Sequence, residues 1–329
     1  MAGHVADDGG NDIYVYRGGR VPQHLKNIIT HARIDESITD IDDEAFRNCP
    51  NLQSVDFHPG VKKIGKAAFM RCSRLRSIKL TGVKLIYLKA FWKCSALANV
   101  EFGNELRNIG SYAFYGCVNI ESLDISSVRA IEGGAFQECV GLTYVAFGDK
   151  LERIKGFSFE GCTRLRFITL PLKDGVIKDS AFNCQHLERV DLAGSVHKIV
   201  SSLHLESWRV EMNAEIHHIN KVLPATYSGM KTRVIQQWVQ LVARRFGYFK
   251  VQHYRLLVEA MTLLELALWK AKLDEKVDSI INDDSLETKL LQLSITNGED
   301  ARRECRITCG ADVVIKNVLP FLTLPSQTS

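Results

Sequence analysis

Residues 64–72 read IGKAAFMRC, residues 86–94 read IYLKAFWKC and residues 109–117 read IGSYAFYGC. All three share one ending, Ala-Phe-x-x-Cys. Working outward from it, cysteines fall at 49, 72, 94, 117, 139, 162 and 184, in alternating steps of 23 and 22 residues. A fixed period of this length marks a stacked-repeat architecture, because no single unit can bury its apolar columns without neighbours.

Other columns keep step with the cysteines. Phenylalanines stand at 46, 69, 91, 114, 136, 159 and 182, each after a small residue such as Ala45, Ala68 or Ser158. Five residues before each Phe is an isoleucine, from Ile41 to Ile177. Three residues after each Cys comes a column opened by Leu52. Six after comes one opened by Val55, and eight after one opened by Phe57. Each unit thus reads L-x-x-[VIL]-x-[FLI], a turn, then I-x-x-x-A-F-x-x-C. The first part alternates as a strand does. Stacked strands would make a parallel sheet with about 4.8 Å between neighbours. The Ala-Phe-x-x-Cys limb is expected to be a helical turn.

The turn length also varies. Seven residues separate the last strand position from the isoleucine in FHPGVKKI, and six in LTGVKLI. The underlying unit therefore reads as a pair of repeats, about 45 residues long. The last unit, PLKDGVIKDSAFNCQHL, has an Asp-Gly turn and is one residue short between Phe182 and Cys184. Terminal repeats are atypical because they close the stack. At the other end, DIYVYRGG and VPQHLKNIITHARID read as a degenerate first unit and a cap, over residues 1–33.

These columns, over about residues 34–199, resemble the BspA-like subclass of leucine-rich repeats. The resemblance implies an α/β repeat solenoid that binds partners on its parallel sheet face, and it implies no chemistry. The expected organisation is a solenoid over residues 34–200 and an α-helical region over 201–329. Repeats followed by SSLHLESW and TLLELALWKAKLDE also look like repeat proteins of some unicellular algae, a likeness of architecture alone.

Within such a stack the cysteine column reads as core packing, since a free Cys buries as a small hydrophobe. A disulfide between neighbouring units is the alternative, because stacked units bring Cα atoms to about 5 Å. A metal site is a weaker one: a ladder does not converge on one ion, and the column contains no C-x-x-C.

The rest of the composition is that of an ordinary globular protein, 46% hydrophobic and 24% charged. The net charge of +4 is too small to point to nucleic acid by itself. The opening MAGHVADDGGND has neither a basic nor an apolar segment, so no secretory signal is expected. No apolar run reaches a membrane-spanning length, and Asn-x-Ser/Thr does not occur. Nine cysteines without a signal are expected to be reduced, in a cytoplasmic or nuclear protein.

Strand side chains that point away from the core should face a partner. One outward column is Ser54, Ser77, Asn99, Ser122, Tyr144, Phe167 and Arg189. The other is Asp56, Lys79, Glu101, Asp124, Ala146, Thr169 and Asp191. Aromatic residues beside arginines are the usual make-up of a binding hot spot. The candidate partner-binding set is therefore Tyr144, Phe167, Arg166, Arg189, Thr169, Glu101 and Asp124. The competing reading is that the helical tail covers this patch.

After the repeats, residues 201–224 read as a helix with Ser202 as N-cap, stopped at Leu223-Pro224. A long amphipathic helix is expected near residues 231–276, either continuous or broken at Gly247. Its stripe runs from Ile235, Trp238 and Val242 to Leu263 and Leu264. It must pack within the chain or against another chain, as in a coiled coil. Asp284 and Glu287 resemble a capping box, and Cys305 and Cys309 share a helix face.

Searching for chemistry yields no phosphate-binding loop, dinucleotide fingerprint, zinc-protease helix or nucleophile elbow. His217-His218 beside Glu215 reads as a solvated helix face, and Arg244-Arg245 among aromatics as core plus solvent face. No catalytic residue, metal or cofactor is expected. The function expected is non-enzymatic binding of a protein or peptide on the sheet face. The alternatives are a cell-surface adhesin or receptor, and a scaffold or nucleic-acid binder in the helical region. No membrane contact is expected, and self-association would run through the long helix.

Overall fold

The computed structural model describes residues 4–7, 12–193 and 206–281. The chain divides into two compact units, Met1–Ala243 and Arg244–Ser329. Among the described residues no helix is long and apolar enough to cross a membrane.

The first unit is a parallel repeat solenoid followed by helix, the α/β class the columns call for. β1 (His4–Asp7) pairs antiparallel with β2 (Asp12–Tyr16). From β2 onward every described pairing is parallel. One surface carries β2, β3 (His31–Ile34), β5 (Ser54–Asp56), β7 (Ser77–Leu80) and β9 (Asn99–Phe102). It continues with β11 (Ser122–Ile125), β13 (Tyr144–Phe147), β15 (Phe167–Leu170) and β16 (Arg189–Leu192). The inward residues of these strands are the Val55 and Phe57 columns of the sequence. Most are buried, as are Ile78 and Leu80 of β7 and Leu123 and Ile125 of β11.

A second ladder forms where the sequence showed only an isoleucine column. β4 (Asp40–Ile41), β6 (Lys63–Ile64), β8 (Leu85–Ile86), β10 (Asn108–Ile109), β12 (Ala130–Ile131) and β14 (Arg153–Ile154) pair in order. Each is two residues long and ends on the buried isoleucine. Its backbone groups are thus satisfied by the turns above and below, which an interior loop would require in any case.

The limb is not the helical turn expected. Two residues in each unit but the last, which has one, adopt the left-handed conformation at fixed places. One lies two before each Phe: Glu44 (φ 60), Ala67 (φ 53), Lys89 (φ 58), Tyr112 (φ 54), Gly134 (φ 65), Phe157 (φ 61) and Ser180 (φ 59). The other lies one before the Cys: Asn48 (φ 59), Arg71 (φ 62), Lys93 (φ 57), Gly116 (φ 67), Glu138 (φ 61) and Gly161 (φ 73). These kinks aim each backbone group along the stack. The N–H of Phe46, for instance, donates to Ala68 O at 2.7 Å, and that of Asn48 to Met70 O at 2.8 Å. A helical turn would aim those groups along its own axis instead.

Inside, the phenylalanines form a continuous stack. Neighbouring ring centroids from Phe46 to Phe182 lie 4.9–5.3 Å apart with interplanar angles of 2–13°. Tyr16 closes the spine at its start, 5.1 Å from Phe46. Burying one such ring stabilises by about 1.5–3 kcal/mol.

The seven cysteines of the column, Cys49 to Cys184, are buried and unbridged. Each thiol from Cys72 onward donates a hydrogen bond to the Phe carbonyl of the preceding turn. Cys72 Sγ reaches Phe46 O at 3.1 Å, Cys94 reaches Phe69 at 3.0 Å and Cys184 reaches Phe159 at 3.0 Å. The same carbonyls already accept the N–H of their own unit's Cys, as Phe46 O does from Cys49 at 3.2 Å. A thiol suits this column because it fills an apolar site and still offers one weak donor.

At the far end α1 (Glu206–Val222), a short 3-10 turn (Leu223–Ala225) and α2 (Ser228–Ile281) follow. α2 is one helix of 54 residues, unbroken at Gly247. Its early residues Ile235, Trp238, Val239 and Val242 are buried in the first unit. In the second unit Leu263 and Leu264 of the expected stripe are 67% and 51% exposed. Ser202, the Asp284–Glu287 box and the Cys305–Cys309 pair lie outside the described residues.

Candidate functional site: the sheet face

The outward columns are presented by a face that is not one continuous sheet. Strand pairing runs β1-β2-β3-β5, then β7-β9, then β11-β13-β15-β16. Between β9 and β11 lies a groove of about 620 Å³, bordered by Asn99, Glu101, Glu121, Ser122 and Asp124. Phe102 at the end of β9 remains half-buried there, whereas its equivalent Phe147 is buried.

The structure distributes the candidate residues over both sides of this opening. Tyr144, Phe167 and Arg189 come together in register on β13, β15 and β16. The rings of Tyr144 and Phe167 stack at 5.0 Å and 22°. The Arg189 guanidinium lies 5.0 Å from the Phe167 centroid, a cation–π contact. Both rings are half-buried, and Arg189 is exposed. Arg189 also approaches Asp191 at 4.0 Å. Arg166 is exposed just before β15, and its backbone N–H donates to Thr143 O at 3.0 Å.

Three other candidates are placed differently. The Thr169 hydroxyl donates to Phe147 O at 3.4 Å, so it is directed at the neighbouring strand. Asp124 is in register with Ala146 and borders the groove, where its carboxylate accepts from Ser126 N at 3.1 Å. Glu101 belongs to the β7-β9 pair and meets Lys79 at 3.5 Å. Tyr144, Phe167 and Arg189 therefore form one cluster, with Arg166 beside it. Glu101 lies across the groove from Asp124.

The sequence reading missed a second surface, built from the limb. Trp92 stacks on Tyr115 at 5.7 Å and 13°, while Arg71 and Lys93 lie 5.2 and 4.7 Å from the Trp92 centroid. The signal was available as the column after each Phe, where Met70, Trp92 and Tyr115 succeed one another. These positions lie on the limb, outside the strand alternation that marks outward residues.

Within the first unit, α1 and the start of α2 pack against the last repeat. Asn220 Oδ1 accepts from Val190 N at 2.8 Å, and Thr232 Oγ1 from Phe182 N at 2.9 Å. The Lys231 ammonium donates to Gln185 O and Leu187 O, both at 2.7 Å. Burial pulls its pKa down, partly countered by Cys184 and Glu188.

A ladder of short parallel strands, spaced by a repeating Leu/Ile/Phe/Cys core, defines a leucine-rich repeat protein. The family model for the BspA type leucine rich repeat region matches residues 24–139 and 108–220 with six copies. The chain belongs to this family.

Solved structures similar to it include a T. pallidum leucine-rich repeat protein, 24% identical, covering 62% of this chain and 93% of its own, at a TM-score of 0.42. A leucine-rich cell surface protein of Faecalibacterium prausnitzii is 23% identical, over 59% of this chain and 68% of its own, at 0.37. The pneumococcal vaccine antigen PcpA is 19% identical, over 56% of each chain, at 0.35. No curated protein matches the chain.

Proposed function

We propose that the chain is a non-enzymatic interaction module that binds a protein or peptide on its sheet face, at Tyr144, Phe167 and Arg189. The observation that carries this is the stacked, half-buried ring pair with an arginine over it. Aromatic rings give large contact area at low entropic cost and arginine adds a planar cation, and both are enriched in hot spots. Arg166 flanks the cluster as a second charge, and Asp124 and Glu101 extend the contact toward the groove.

The test is affinity capture from native lysate with the full chain, its Tyr144→Ser/Phe167→Ser variant and an Arg71→Ser/Lys93→Ser variant as baits. A partner held by the first and third and lost from the second supports the sheet face. If the Tyr144/Phe167 variant keeps every partner that the full chain holds, the assignment is sunk.

A cytoplasmic or nuclear location is part of the same proposal. The thiol-to-carbonyl hydrogen bonds of the cysteine column need reduced sulfur, and that supports a reducing compartment. Surface labelling of intact cells tests it, since label on this protein would favour an adhesin.

A further inference from the structure

The limb surface carries a second aromatic and basic cluster, separate from the Tyr144–Phe167–Arg189 cluster of the sheet face. Trp92 lies between Arg71 of the preceding turn and Tyr115 of the following one. Lys93 also sits against the Trp92 ring. Arg71 and Lys93 are exposed, and among the described residues neither is within ion-pair distance of a carboxylate. Two cations held against the same ring, with no acid paired to either, repel each other, and an anion bound to both removes that cost.

Next to them the limb is hollow. At the position where Arg71, Lys93 and Glu138 carry side chains, the intervening unit has Gly116. A Cβ there would meet only the Lys93 Cγ, at 3.4 Å. The missing side chain opens a groove of about 630 Å³, with Tyr115, Val118 and Val140 along it and Glu138 on its far side. Its chemistry changes along its length: two cations, then apolar wall, then one carboxylate.

We propose that this groove binds an extended peptide segment. An Asp or Glu of that peptide sits between Arg71 and Lys93, and an apolar residue follows over Val118 and Val140. Charge complementarity selects the acid, and the valines select the residue after it. A single-stranded nucleic acid fits less well for two reasons. The Trp92 ring is already flanked by Arg71 and Tyr115, so it offers no free platform for a base. A phosphate chain continuing along the groove would also meet Glu138.

A position-scanning peptide library, bound to the full chain, tests this. The expected result is enrichment of Asp or Glu, with an apolar residue a few positions later. The selected peptide should bind about tenfold or more weakly to Arg71→Ser/Lys93→Ser, since charge-assisted contacts are lost. Tyr144→Ser/Phe167→Ser should leave its affinity unchanged, which separates this site from the sheet face. Arg71→Glu/Lys93→Glu should turn the preference toward Lys and Arg, a reversal that mere unfolding cannot produce. Absence of acidic enrichment, or the same enrichment in the charge-reversed chain, overturns the proposal. So does a single-stranded oligonucleotide that binds more tightly than the selected peptide and is equally sensitive to Arg71 and Lys93.

Discussion

Thr232 Oγ1 accepts a hydrogen bond from the backbone N–H of Phe182 at 2.9 Å. In every earlier unit the Phe N–H donates instead to a carbonyl of the next turn, as Phe159 does to Ala181 O at 2.9 Å. A helix side chain therefore stands where an eighth carbonyl would be. Thr232 is 2% exposed, so no water can replace it cheaply. Thr232→Val should cost about 1–3 kcal/mol in chemical denaturation, and Thr232→Ser less than about 1 kcal/mol. Equal losses for the two would show that the methyl, not the hydroxyl, matters.

That substitution of side chain for backbone explains part of what the sequence left unread. The Phe, Cys, Leu and Ile columns repeat, and repetition reveals which residues face inward. Thr232, Lys231 and Asn220 each act once, on a helix, and a single polar residue has no period to betray it. The left-handed limb was hidden for another reason. Arg71, Lys89, Lys93 and Tyr112 are residue types that normally avoid positive φ, so nothing in their identity announces it. The gap between β9 and β11 is a matter of how strands of similar sequence settle against one another. On the sheet face, alternation named the outward residues correctly in kind, but only the fold shows that Tyr144, Phe167 and Arg189 touch.

The limb conformation yields a prediction of unusual sign. A non-glycine residue in the left-handed region costs about 1–2 kcal/mol, and glycine gives part of that back as unfolded-state entropy. Lys89 (φ 58) is half-buried and its N–H bond to Ser111 O belongs to the backbone. Lys89→Gly should therefore stabilise the protein by about 0.5–1 kcal/mol. Gly134→Ala should do the reverse, by about 1 kcal/mol or more. Gly134 has φ 65, and a Cβ there would lie 2.5 Å from the Tyr112 ring. Thermal melts of the two variants check both signs together.

The thiol column sets how stability responds to alkali. Burial pushes the Cys49, Cys139 and Cys184 thiols from an ordinary 9.0 up to about 12, and those of Cys72, Cys94, Cys117 and Cys162 well up too. Above pH 9.0 the unfolded chain loses thiol protons that the folded chain keeps. Their contribution is complete below that pH and declines as pH rises toward the folded values. Lys231 works the other way, since its folded pKa lies below 10.5 and its contribution grows as pH approaches that value. Seven thiols outweigh one lysine. Urea midpoints under reducing conditions should fall between about pH 8 and about pH 10. A midpoint that holds steady over that span would contradict the thiol account.

The final prediction concerns the ring pair on the sheet face, which can serve stability, binding or both. Tyr144 and Phe167 are cross-strand partners in register, and such aromatic pairs couple by about 0.5–1 kcal/mol. A double-mutant cycle with Tyr144→Ser and Phe167→Ser should recover a coupling of about that size in unfolding free energy. Val145 and Ile168 beside them are fully buried and supply the packing of these strands, so the double variant should stay folded. Partner binding should respond differently. A hot-spot residue lost from a desolvated contact costs about 2 kcal/mol or more. Measured on one preparation, a small loss of stability with a large loss of binding assigns the rings to recognition. A coupling near 1 kcal/mol with undiminished binding would make them a structural pair, and recognition would then have to reside elsewhere on the solenoid.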